Sequence, residues 1–306
     1  MVIILAPDTR NRLNTTTLSA ISQDALAKSV GVDNGRKTLP IRRVFIRQTE
    51  VMAEQHPWSR FVALGDSFTE GIGDPEPALP GGFRGWADRV AEVLSEDADG
   101  FAYANLAIRG RLLQQIIDEQ VEPALALRPD LITFSGGGND IIRPGTDVDD
   151  VSQKLDGAIG RLRSDGATVV VFTGPDIGMT PVLGRSRGKV AIFNENVRAL
   201  AVRHDAIVAD MWSLRDLRDT RMWAPDRLHF SATGHHTVAR MVLDALAVEN
   251  SLEAYAPEPL PPLSWRDARV GDIDWARVHL MPWVLRRLRH RSSGDHVSAK
   301  RPDFPC

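Results

Sequence analysis

The sequence predicts an α/β fold, with a mostly parallel five-stranded sheet covered by helices on both faces, and three observations carry that expectation. From about Arg60 to Asn250, short apolar runs alternate with longer amphipathic ones. One of the short runs, Thr168 to Thr173, is apolar almost throughout, as a strand buried on both faces must be. The chain has 306 residues, 43% hydrophobic and 25% charged, the balance of a globular protein long enough to bury a substantial core. Strands that alternate with helices require right-handed crossovers and so lie parallel.

In chain order, Phe61 to Leu64 reads as the first strand and stops abruptly at Gly65-Asp66-Ser67. Gly85 to Glu96 has helical periodicity, and Ala102 to Leu106 is the second strand. Leu112 to Leu127 is a helix ending before Arg128-Pro129, which cannot continue it. Asp130 to Phe134 is the third strand, and Val148 to Ser164 is a helix closed by Asp165-Gly166. Thr168 to Thr173 is followed by a helix over Lys189 to His204 and a short last strand at Ile207-Val208. Thr233-Gly234 opens a final helix that runs to about Val248.

The chain divides into residues 1–56, an amino-terminal extension; residues 57–250, the α/β domain; and residues 251–306, a linker and tail. The extension is rich in Thr, Asn, Gln, Asp, Arg and Lys, lacks an apolar face long enough to found a core, and is expected to be poorly ordered. The tail begins with a proline-rich run from Pro257 to Pro262. Trp275, Val278, Trp283, Val284 and Leu288 could then form one apolar stripe, with Arg277, Arg286, Arg287, Arg289 and Arg291 around it and Pro282 interrupting. Docking of that stripe on the body is favoured over membrane binding, because an exposed tryptophan stripe is a liability in a monomer.

A net charge of -3 gives no reason to expect nucleic acid or an anionic membrane as the main partner. The single cysteine, Cys306, excludes an intrachain disulfide and leaves a Cys/His zinc site without thiolates. The apolar start, Met1 to Ala6, is shorter than a signal-peptide core and lacks basic residues before it, and no run approaches a spanning helix. A cytoplasmic, soluble protein without stable membrane insertion is therefore expected.

The chemistry concentrates at strand ends. Ser67 follows a buried strand, where ligands bind in open α/β sheets, and is the candidate nucleophile, although Gly-Asp-Ser is also an ordinary turn sequence. A serine hydroxyl needs a base, and the usual base is a histidine oriented by a carboxylate. Asp226 and His229, three residues apart on a tight turn or first helical turn, can lie on one side and supply both. His229 taken alone could equally be a capping or surface histidine. Donors for an oxyanion come from two further strand-end loops: the Asn139 amide after Ser135-Gly136-Gly137-Gly138, and the backbone N–H of Gly110. The triple glycine lacks the spacing of a phosphate-binding loop.

Together these residues resemble the SGNH hydrolases, the GDSL esterases and lipases, whose four blocks occur in this order. Gly65-Asp66-Ser67 matches the first block, Gly110 the second, Gly137-Gly138-Asn139-Asp140 the third and Asp226-Arg227-Leu228-His229 the last. The resemblance covers about Arg60 to Asn250 and implies a flavodoxin-like three-layer α/β/α sandwich. It implies that Ser67 attacks, that His229 is general base and then general acid, and that Asp226 orients it. The oxyanion hole would comprise the N–H groups of Ser67 and Gly110 with the Asn139 amide. Asp66 and Asp140 are expected to fix turns through local hydrogen bonds, Ser135 to act as a backbone cap, and His235 and His236 to lie at the surface.

The function so implied is hydrolysis of a small-molecule carboxylic ester, with a short-chain acyl or acetyl group, through an acyl-enzyme and without cofactor or metal. Alternatives are an acyltransferase or carbohydrate O-deacetylase on the same triad, and a non-catalytic binding protein on the hydrolase fold. The intact Ser67, Asp226, His229 and Asn139 argue against the last.

Overall fold

A computed structural model describes residues 56–180, 183–256, 272–282 and 292–304. The expected amino-terminal extension lies outside the described residues apart from His56, as do Trp283, Val284, Leu288 and the arginines at 286, 287, 289 and 291. Five strands form one sheet: β1 (Arg60–Leu64), β2 (Ala102–Asn105), β3 (Leu131–Phe134), β4 (Thr168–Phe172) and β5 (Ile207–Ala209). Every pairing is parallel, in the order β2-β1-β3-β4-β5. That is the flavodoxin-like order, in which the connections reverse direction between β1 and β3 and leave a crevice at the carboxyl ends.

The helices follow in chain order: α1 (Ser67–Glu70), α2 (Gly85–Glu96), α3 (Leu113–Ile116), α4 (Glu122–Ala126), α5 (Gly138–Ile141), α6 (Val148–Arg163), α7 (Arg187–His204) and α8 (Ala232–Ala245). The helix expected over Leu112 to Leu127 exists but is not regular, since a π-helical turn, Ile117–Val121, joins α3 to α4. Pro123 explains the local irregularity: with no N–H to donate, it cannot bond back to the preceding turn. The wider turn also lets Gln120 face inward, where it clasps the backbone of Gly65.

Two cores sandwich the sheet. On one face Val62, Leu64, Ile132, Val169 and Val171 pack against α3, α6 and α7. On the other Phe61, Ala63, Leu131, Val170 and Phe172 pack against Trp86, Val90 and Leu94 of α2 and Val238, Val242 and Leu243 of α8. Successive strand residues thus point to opposite faces, and both faces are apolar, which is why these runs showed no polar alternation.

The tail also meets the body. Arg301 pairs antiparallel with Asn105 at the free edge of β2, and Lys300 reaches Asp88 of α2 and the carbonyls of Phe83 and Arg84. A described helical stretch runs over residues 272–282.

Candidate active site

Ser67 is the first residue of α1, directly after β1 and Gly65-Asp66. Two clasps hold this corner. Gln120 accepts from the Gly65 N–H at 2.8 Å and donates to the Gly65 carbonyl at 2.9 Å, and Asn105 donates to the Thr69 carbonyl at 2.9 Å. Asp66 caps α1 by accepting from the Phe68 N–H.

Asp226 and His229 lie on a closed turn just before α8. The Ala224 N–H donates to the His229 carbonyl and the Arg227 N–H to the Ala224 carbonyl, both at 2.8 Å. Asp226 Oδ1 accepts from the N–H groups of Leu228 and His229, each at 3.0 Å, so the turn is braced by its own aspartate. Gly73 lets this turn come close, because a Cβ there would lie 2.0 Å from the Phe230 carbonyl oxygen. Its φ of 102° is likewise one that side chains avoid.

The turn delivers His229 to the serine. Asp226 Oδ2 is 2.6 Å from His229 Nδ1, and His229 Nε2 is 3.0 Å from Ser67 Oγ, across 162 residues of chain. Burial pushes the Asp226 carboxyl up, but the hydrogen bond and charge of His229 and the two backbone N–H groups outweigh it and hold it at about 2. An ionised carboxylate only accepts, so the proton sits on Nδ1 and Nε2 is left to accept from the serine hydroxyl.

The three oxyanion candidates converge on the same cleft, which Ser67, Gly110, Asn139 and His229 all line. Among the described residues, the N–H groups of Ser67 and Gly110 have no acceptor. Asn139 differs: its Nδ2 donates to Asp66 Oδ2 at 2.8 Å and to the Arg111 carbonyl at 3.1 Å. Burial pushes the Asp66 carboxyl up to about 6, against the opposing pull of the Phe68 N–H and of nearby His229. The Gly110 loop is fixed from α1, because Glu70 accepts from the Arg109 N–H at 2.7 Å and pairs with its guanidinium.

Several expectations for neighbouring residues need correction. His235 is not at the surface: it is fully buried, accepting from the Trp86 N–H on Nδ1 and donating to the Ile72 carbonyl through Nε2. His236 bonds the Glu253 carbonyl from a half-buried position. Asp140 also acts beyond its own turn: it accepts from the Leu113 N–H, 27 residues back, and so ties the glycine loop to α3. Asp66 combines its local cap with the long-range contact to Asn139. Among the described residues the Ser135 side chain has no hydrogen-bond partner, and its backbone N–H donates to the Leu64 carbonyl at 3.2 Å. The supports Gln120, Asn105, Glu70 and Arg109 were not anticipated from the sequence. The available signal was that polar or charged residues stand within otherwise apolar runs, as Asn105 does after Ala102-Tyr103-Ala104.

The cleft measures about 970 Å³. Its β4–β5 side is apolar, with Phe172, Pro175, Ile177, Phe193, Met211 and Trp223, while Arg109 and Gly110 line the β2 side. Among the described residues there is no group of three His, Cys, Asp or Glu side chains able to hold a metal ion. Nor is any described helix long and apolar enough to cross a membrane.

Comparison with known proteins agrees with this fold. An 87-residue stretch is 31% identical to the uncharacterized protein YpmR of Bacillus subtilis (strain 168), covering 26% of this chain and 31% of that protein. The fold is similar to that of Axe2, an acetylxylan esterase from Geobacillus stearothermophilus, at 19% identity and a TM-score of 0.53, over 62% of this chain and 95% of that one. TesA aligns at 18% identity and a TM-score of 0.51, over 61% and 97%. LAE5, an alpha/beta hydrolase enzyme from the metagenome of Lake Arreo, Spain, aligns at 20% and 0.53, over 63% and 97%. Residues 63–237, more than half of the chain, match the GDSL-like lipase/acylhydrolase family. The chain belongs to that family and is an ester-bond hydrolase.

Proposed function

We propose that the protein is a serine esterase in which Ser67, His229 and Asp226 act as a triad on a small-molecule carboxylic ester with a short acyl group, acetyl included. The observation that carries this reading is the unbroken line from Asp226 Oδ2 through His229 to Ser67 Oγ, with contacts of 2.6 and 3.0 Å. His229 Nε2 takes the serine proton as Oγ attacks the ester carbonyl, and Asp226 stabilises the imidazolium that forms. The tetrahedral oxyanion falls to the unengaged N–H groups of Ser67 and Gly110. Asn139 joins them by turning one N–H from the Arg111 carbonyl, the longer of its two contacts.

Collapse breaks the bond to the alcohol, which leaves with the proton from Nε2. Water activated by the same nitrogen then hydrolyses the acyl-enzyme. A fluorophosphonate should label Ser67 alone, and Ser67→Ala should lose roughly 10³- to 10⁶-fold in kcat while remaining folded. Peptide mapping that placed the adduct on another serine, or found none, would remove the reading.

A further inference from the structure

The family match ends at residue 237, yet the cleft does not. Trp275, Val278, His279 and Pro282 of the helical stretch 272–282 line it together with Ser67 and His229, as do Ser292, Ser293 and Asp295. Both pieces are fastened to loops that carry the proposed chemistry. At one end the Trp275 Nε1–H donates to the Asp226 carbonyl at 2.8 Å. The Arg227 guanidinium stacks 5.3 Å from the Trp275 ring centre and bonds Asp272 at 2.6 Å.

At the other end the fit is too close for side chains. A Cβ on Gly294 would lie 2.0 Å from the Arg109 carbonyl oxygen, and one on Gly110 would lie 2.3 Å from Ser292 Oγ. Beyond this contact, Lys300 and Arg301 lock the segment to Asp88 and β2. The segment therefore packs directly on the Arg109-Gly110 loop.

The chemistry of the triad says which half of the ester meets that segment. The alcohol must leave beside His229 Nε2, because it departs with that proton. Trp275 is bonded to the turn that carries His229, so its neighbours face the leaving group. We propose that the carboxyl-terminal segment builds the alcohol subsite, and that Trp275, Val278 and Pro282 set the size of a bulky, partly apolar alcohol there. This rests on the triad reading above. It also accounts for a cleft of about 970 Å³ around a reaction that needs little room for an acetyl group.

The test compares two ester series on the full chain: acetates of increasingly large alcohols, and one aryl alcohol with increasingly long acyl groups. Trp275→Ala should change the large-to-small alcohol ratio of kcat/KM by ~10-fold or more, in line with the discrimination that small changes of pocket volume produce. Its acyl-length profile should parallel wild type. The deacylation rate of a trapped acetyl-enzyme should not depend on which alcohol formed it, since the alcohol has already gone, and its change from wild type reads the uniform effect of the variant on the Asp226 turn. Val278 is 60% exposed, so Val278→Trp should fold and shift preference toward small alcohols.

Ratios cancel any uniform loss from a displaced Asp226 turn. Alcohol profiles of both variants identical to wild type, or a change that follows acyl length instead, would overturn the proposal. Ser67→Ala run alongside separates the two ideas: undiminished turnover there overturns the triad, whatever the alcohol profiles do.

Discussion

Asn139 is where residue-scale geometry and proposed role pull apart, because both its amide hydrogens are already engaged. If one turns to the oxyanion, Asn139→Ala should cut kcat by roughly 10²- to 10³-fold with little change in KM, since that bond strengthens only as charge builds. If the amide only braces Asp66, kcat per folded molecule should stay near wild type while Tm falls; measuring all three on one variant decides. A second residue-scale prediction concerns pH. Folded Asp66 holds its proton up to about 6, above the ordinary aspartate value, so its contribution to stability falls as pH rises through that window. Buried His235 works in the other direction. Burial pulls it down to about 4, so below its ordinary value the unfolded chain gains a proton that the folded one refuses. Its contribution therefore rises with pH between about 4 and 6.5. The two slopes offset, and Asp66→Asn should expose the second: Tm of the variant should climb more steeply from pH 4 to 6.5 than that of wild type. Parallel Tm profiles would show that Asp66 does not titrate there.

Among the elements, the tail depends on one buried pair. The side chains of Lys300 and Asp88 are only 2% and 4% exposed, and Lys300 also donates to the carbonyls of Phe83 and Arg84. Burial pulls the Lys300 ammonium down and pushes the Asp88 carboxyl up, and mutual attraction opposes both shifts. Lys300→Met leaves the buried carboxylate with only the longer contact to Arg301 and should lower unfolding free energy by about 3 kcal/mol, read by urea denaturation; adding Asp88→Leu should restore most of it. An unchanged midpoint in the single variant would mean that the pair contributes nothing. This attachment was not legible in the sequence, because Ser298-Ala299-Lys300-Arg301 has no apolar pattern, and its pairing depends on the edge of β2 almost 200 residues earlier. By contrast α2 begins and ends where its periodicity does, at Gly85 and Glu96, and β4 was marked by its run of valines. His235 was misread because two adjacent histidines on a helix look alike in sequence, and only tertiary packing reveals which of them turns inward. Ser67, Asp226 and His229 were legible since each ends or follows a strong local pattern, whereas Gln120, which clasps Gly65, and Glu70, which fixes the Arg109 loop, act across 55 and 39 residues.

At the scale of the whole molecule, the two flanks of the α/β domain should behave oppositely on removal. Among the described residues, the five strands and the helices that pack on them supply both cores of the sheet. The first 51 residues are polar and lack apolar periodicity, and segments of that composition contribute little buried area to offset the entropy of ordering them. The carboxyl-terminal flank covers the β2 edge, neutralises Asp88 and lines the cleft. Deleting Met1 to Val51 should therefore leave kcat/KM and a single cooperative unfolding transition intact. Truncation after Asn250 should lower Tm and alter the alcohol profile together, because an unpaired sheet edge and a buried carboxylate are exposed by the same cut that removes the wall. Scanning calorimetry and ester kinetics on the two truncations decide it. A large loss of Tm in the amino-terminal deletion would show that this segment packs on the domain, and wild-type behaviour in the carboxyl-terminal one would show that the cleft is complete without its tail.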